Sequence, residues 1–184
     1  MRYTYYLFII FLIGCTHGPK AAKEKYQVKF DSTIDFTFKQ LYSYRPIDNM
    51  YYGGAGLICI DTIISKGHKT IKIDTLEKAF TISDSGGVAI LIMSNKILYK
   101  ANNVLIHLDS LGNLKKAGYA NLGKDDKLAI ADANNAILTL KKKSFDERDT
   151  IVGFIELNVN TNNPSDSLSI KSSCRGYFKA LIYD

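Results

Sequence analysis

The chain has 184 residues, the size of one domain built on a single core. Apolar residues make up 46% and charged residues 23%, which excludes a disordered polyelectrolyte. Three cysteines exclude a disulfide-dense miniprotein and a four-cysteine zinc site, three histidines far apart leave little for a multi-histidine metal centre, and the formal charge of +6 suits acidic partners.

At the front, Arg2 precedes an unbroken apolar run, Leu7 to Ile13, that stops at Gly14-Cys15-Thr16-His17-Gly18-Pro19. A membrane-spanning helix needs roughly 20 apolar residues, about twice this run, so the segment reads as a signal rather than a span. Leu12-Ile13-Gly14-Cys15, closing the run, resembles the lipobox of bacterial lipoproteins, in which aliphatic and small residues lead into an invariant cysteine. The resemblance implies a signal peptide over residues 1–14, diacylglyceryl transfer to the Cys15 thiol, cleavage before Cys15, and acylation of the new amino terminus. Thr16 in place of Asp after the cysteine implies sorting to the outer membrane. The lack of an acidic cluster behind it implies the periplasmic face. Residues 15–25 are then the lipidated end and a flexible tether. The ten residues Thr16–Lys25 carry no apolar period, and ten residues reach at most about 35 Å.

Residues 26–184 read as a single β domain, because the dominant period beyond the tether is two. Tyr26, Val28 and Phe30 alternate with polar residues, as do Ile34, Phe36 and Phe38. Leu57–Ile64 suits a central strand, and Lys69–Asp74 alternates again. Thr75–Phe80, behind Asp74 as a cap, and Phe38–Tyr44 are the two places where one or two helical turns are expected. Val88–Met93 and Ile97–Lys100 follow as strands. Val104–Leu108 and Leu114–Lys116 flank Asp109-Ser110-Leu111-Gly112-Asn113, a hairpin-turn composition. Leu128–Ala131, Ala136–Lys141, Thr150–Val159, Ser167–Lys171 and Tyr177–Ile182 complete the set. The expected fold is all-β: an antiparallel sandwich or barrel of about ten short strands with at most one or two short helices.

The C-terminal third, from Ile137-Leu138-Thr139-Leu140-Lys141 through the charged turn Phe145–Asp149 and Thr150-Ile151-Val152-Gly153-Phe154 to Gly176-Tyr177-Phe178, is similar to the ending of small uncharacterised all-β lipoproteins. Those carry no established activity, so the similarity implies fold and no catalytic residue.

Tyr42, Tyr44, Arg45, Tyr51 and Tyr52 cluster in one segment that ends in Gly53-Gly54-Ala55-Gly56. Tyrosine offers a flat apolar ring with a polar tip, so these five are the candidate ligand-facing loop, set against a reading as a loop packed across the sheet's open end. The glycines precede a strand rather than a helix, which disfavours a phosphate cradle. Asp125-Asp126 and Asp146-Glu147 lack the spacing of a calcium loop and read as solvated turns. No Ser-His-Asp, Cys-His or Gly-x-Ser-x-Gly pattern is present, so no catalytic, cofactor-binding or metal-ligating residue is assigned. Lipidation of Cys15 leaves Cys59 and Cys174 as an even pair in an oxidising compartment. A bridge between them would contribute about 4–5 kcal/mol in the chain-entropy model. Cys59, mid-strand, sits where a small buried thiol is common, and Cys174 lies in an expected turn, so two separate thiols are favoured over a bridge.

The function expected from these features is a membrane-anchored binding or interaction module of the cell envelope. Its partner would be an envelope protein or glycan rather than nucleic acid. The alternative is a periplasmic inhibitor or immunity lipoprotein, and a hydrolase is the less favoured third.

Overall fold

The computed structural model describes residues 24–35, 43–45, 50–84, 86–94, 103–122, 128–146, 148–163 and 167–182. Eleven strands account for all their regular structure, and no helix occurs among them. They are β1 (Tyr26–Phe30), β2 (Ser43–Arg45), β3 (Met50–Ser65), β4 (His68–Asp84), β5 (Gly87–Met93), β6 (Asn103–Asp109), β7 (Leu114–Leu122), β8 (Leu128–Asp132), β9 (Asn135–Leu140), β10 (Thr150–Asn163) and β11 (Leu168–Leu181). The all-β expectation holds. The helical turns expected at Thr75–Phe80 do not form. That segment continues β4, because Leu76 and Ala79 reach the core from a strand that pairs with β3 and then with β5. Of Phe38–Tyr44, Ser43 and Tyr44 belong to β2 and the rest lies outside the described residues. Ile97–Lys100 also lies outside them, whereas Asp31–Ile34 is a turn rather than the start of a second strand.

The strands form one sheet in the order β1-β9-β10-β11-β3-β4-β5-β6-β7-β8, with β2 paired to the start of β3. Every pairing is antiparallel except β1 with β9, a departure from the purely antiparallel expectation. Alternation along a strand reports which face is buried and is silent about the direction of its neighbour. Ser167–Lys171 and Tyr177–Ile182, expected as two strands, are one: β11 runs unbroken through Ser172–Gly176, held on both sides by β10 and β3.

Strand twist curls this sheet until its two ends meet across the concave face. The Tyr26 hydroxyl of β1 donates to the Ala117 carbonyl of β7 at 3.4 Å, and the Ala133 amide, between β8 and β9, reaches the same carbonyl at 2.7 Å. The concave face carries the main core: Leu57, Leu76, Ile90, Ile106, Leu138, Ile155 and Phe178 are fully buried. Each such side chain contributes about 1.5–3 kcal/mol on burial. Curling brings backbones close where β3 meets its neighbours. A Cβ on Gly176 would stand 2.1 Å from the Gly56 carbonyl oxygen, and the β3–β4 register shifts between Gly54 and Leu57.

Two ends of the curled sheet follow from the register. Tyr26, Ala136, Leu157, Cys174 and Cys59 pair in one row across β1, β9, β10, β11 and β3. From that row β3 runs on to Ser65, about 20 Å further at the strand rise, and turns back at Lys66 and Gly67, both with positive φ as a type I′ hairpin turn requires. β1 runs away from this hairpin tip, so the chain before Tyr26 enters on the tip side. The β6–β7 turn lies at the opposite end. There Asp109 accepts hydrogen bonds from the Leu111 and Asn113 amides and from the Asn113 side chain, which chiefly holds its carboxyl well below the ordinary carboxylate range.

Candidate functional site

Two depressions are bordered by described residues. The first is the tip-side mouth of the concave face, a cavity of about 200 Å³ lined by Asp61, Ile63, Lys72, Tyr119, Thr161, Ile170 and Ser172 among others. Its polar groups are placed by alternation: Asp61 is two residues beyond Cys59 on β3, and Ser172 and Lys72 are its cross-strand neighbours on β11 and β4. The Lys72 ammonium bridges the Asp74 carboxylate at 2.7 Å. Tyr119, 4% exposed, lies with its hydroxyl 2.7 Å from the Cys174 sulfur. Burial, reinforced by the Asp61 carboxylate, pushes this phenol well above its ordinary value near 10, and a hydrogen bond with Ser172 offsets part of the rise. The cavity is smaller than the roughly 300–1,000 Å³ of ligand pockets. The arrangement is a polar network that closes the end of the core.

That network makes alkaline stability a readout of Tyr119. The folded protein holds this proton more tightly than the unfolded chain does. The group's contribution is therefore complete below about pH 10 and lost as pH rises above it, at up to about 1.4 kcal/mol per pH unit. Urea midpoints measured on both sides of that pH should fall on the alkaline side. Tyr119→Phe should flatten the fall, and an unchanged slope in the variant would exclude Tyr119 as its source.

The second depression is a groove of about 450 Å³ crossing β1, β9, β10 and β11 on the outer face. Its walls are rows of alternating outward side chains: Gln27, Ile137, Glu156 and Arg175 in one row, Asn135, Asn158 and Ser173 in the next, with Glu24, Lys25 and Asn134 at the rim. Glu156 and Arg175 stand directly across from each other. Asn158 Nδ2 donates to Asn135 Oδ1 at 2.9 Å, and Asn134 Oδ1 accepts from the Asn160 amide at 2.6 Å, so the amide ladder is held in register by its own hydrogen bonds. This volume lies within the ligand-pocket range. A carboxylate, a guanidinium and carboxamides side by side can meet both donors and acceptors of a polar ligand. Among the described residues no cluster of three or more His, Cys, Asp or Glu is placed to hold a metal ion.

Of the residues singled out in the sequence, Cys15 and Tyr42 lie outside the described residues. Tyr44 and Arg45 are in β2 and pair with Tyr51 and Met50 of β3, and Tyr52 pairs with Ser43, so the expected loop is a strand pair far from the hairpin tip. The preference for two separate thiols is corrected: Cys59 and Cys174 form a disulfide, 115 residues apart in sequence and 4.1 Å between Cα atoms. The missing information was the adjacency of β11 and β3, which sets the two cysteines directly opposite each other. The groove residues carried one sequence signal, polar residues at every second position in Glu156-Leu157-Asn158-Val159-Asn160 and Ser173-Cys174-Arg175. No known family, curated protein or solved structure matches this chain.

Proposed function

We propose that this protein is a lipid-anchored binding module of the bacterial envelope. Cys15 would carry the anchor at the periplasmic face of the outer membrane, and the β1–β9–β10–β11 groove would receive a polar partner, a segment of an envelope protein or a glycan. The observation that carries the reading is the placement of Glu156, Arg175, Asn135 and Asn158 in one groove of ligand-pocket size, bordered by the residues, Glu24 and Lys25, through which the chain enters the sheet. The lipobox-like Leu12-Ile13-Gly14-Cys15 supports the anchor. Three acyl chains on one cysteine would hold the domain at the membrane essentially permanently, since each buried methylene contributes about 0.8 kcal/mol. Two measurements test it. Metabolic labelling with palmitate should mark the wild-type chain and not Cys15→Ser. Crosslinking in envelope extracts should yield a partner that is lost from a Glu156→Ala/Arg175→Ala double variant and retained by Leu111→Ala at the opposite end. Equal labelling of both chains would remove the anchor, and capture indifferent to the double variant would remove the groove.

A further inference from the structure

The β3–β4 hairpin exposes an apolar face that folding does not use. Ile58, Ile60 and Ile64 on β3 and Ile71 and Ile73 on β4 all point outward, away from the concave core, and are 37–65% exposed. Monomeric proteins rarely leave contiguous apolar patches larger than a few hundred Å² uncovered without a binding role. Ile60 and Ile73 are directly opposed, and Thr62 opposite Ile71 continues the surface toward the tip. Lysines frame it: Lys69 lies across from Ile64, Lys171 of β11 lies across from Thr62, and Lys66 sits at the turn. Along the stretch that carries the isoleucines, the carboxylates Asp61 and Asp74 lie in the alternate positions that face the concave side, where Asp74 meets Lys72; the exposed Glu77 stands beyond Thr75, at the end of the face away from the tip and its lysines.

We infer that this isoleucine face is a second membrane contact, docking on a phospholipid leaflet with anionic headgroups. The assignment rests on the anchored reading above, and three features select lipid as the occupant. The face combines β-branched apolar side chains with lysines whose stems can lie along it while their ammonium groups reach phosphates. The chain before Tyr26 enters the sheet on the side from which the hairpin projects. The distances also agree: β1 lies four strand spacings from β3, about 19 Å along the sheet, and the tip stands about 20 Å beyond the Tyr26 row, a diagonal of about 28 Å that lies inside the roughly 35 Å reach of the ten residues between Cys15 and Tyr26. An anchor at Cys15 thus lets the hairpin touch the same leaflet, and docking would fix the orientation of a domain otherwise free on its tether.

The chain contains no tryptophan, so a single introduced one reports without background. Ile73→Trp, or Ile71→Trp as a second reporter on an equally exposed site, is placed in the full chain on phosphatidylglycerol–phosphatidylcholine vesicles with brominated acyl chains. The mass of the same sample reports acylation. The expected result is a blue-shifted, bromine-quenched tryptophan at 73 and an unquenched one in Leu111→Trp at the far end. Changing Lys66 and Lys69 to Gln should weaken the docking about 25-fold, about fivefold per lysine, as near-surface lysines do on anionic leaflets. An acylated chain whose tryptophan at 73 stays solvent-exposed and unquenched would overturn the docking and leave the anchor standing. A chain without acyl mass would remove the anchor, and quenching on added vesicles would still decide the hairpin. A blue shift that grows with protein concentration in the absence of vesicles would assign the face to a second copy and overturn the lipid assignment.

Discussion

Replacing Gly176 by alanine is expected to remove a large part of the domain's stability. Gly176 has φ +155, a conformation that side chains other than glycine rarely adopt, and its Cβ would meet the Gly56 oxygen at 2.1 Å and the Leu57 Cα at 2.6 Å. Both obstacles are backbone atoms of β3 within the sheet, so no rotamer change relieves them. Residues forced into such conformations cost about 1–3 kcal/mol, and overpacking costs about 1–3 kcal/mol more. A typical domain has about 5–15 kcal/mol in all. Urea unfolding of Gly176→Ala beside Gly86→Ala measures the difference. Gly86 has open space where its Cβ would stand, so its variant should unfold at the wild-type midpoint. A wild-type midpoint for Gly176→Ala as well would mean that β3 and β11 approach less closely than described.

The disulfide should matter almost as much. Cys59 and Cys174 close a loop of 115 residues, for which chain entropy gives about 4–5 kcal/mol. The Cys59→Ala/Cys174→Ala chain should therefore melt about 10 °C or more below wild type, at 2–4 °C per kcal/mol for a chain of this size. Reduction should lower the melting temperature of wild type and leave that of the double variant unchanged. Under denaturing, non-reducing conditions neither cysteine should react with a thiol reagent. Two reactive thiols there would refute the bridge directly.

Most of the sheet could be read from the sequence because burial on one face leaves a period of two. Val88–Met93, Val104–Leu108 and the Asp109–Asn113 turn are found where they were expected. What failed depends on neighbours in space. Thr75–Phe80 has the composition of a helix start, but its hydrogen bonds go to β3 and β5. Ser172–Gly176 looks like a turn, and only pairing on both sides makes it strand. The bridge and the groove were hidden for the same reason. Cys59 and Cys174 meet, and Asn135, Asn158 and Arg175 share a surface, because β11 lies between β10 and β3, an order no local pattern encodes.

The one parallel pairing also sets an order of events. β1 is made early, yet among the described residues its sole partner strand in the sheet path is β9, which begins at Asn135. A chain emerging amino terminus first therefore presents β1 long before anything exists to pair with it. Pairings of such sequence separation are slow, because the loop entropy is lost before contacts offset it. The β3-to-β7 meander, in which each strand pairs with the next, can assemble while β1 waits. At five residues, with Gln27 and Lys29 on its outward face, β1 is a poor template for wrong pairing in the interval. Docking of β1 onto β9, like the equally distant pairing of β3 with β11, thus belongs to a late stage of folding, and the segment before Tyr26 is drawn into place only after the β3-to-β7 meander has formed.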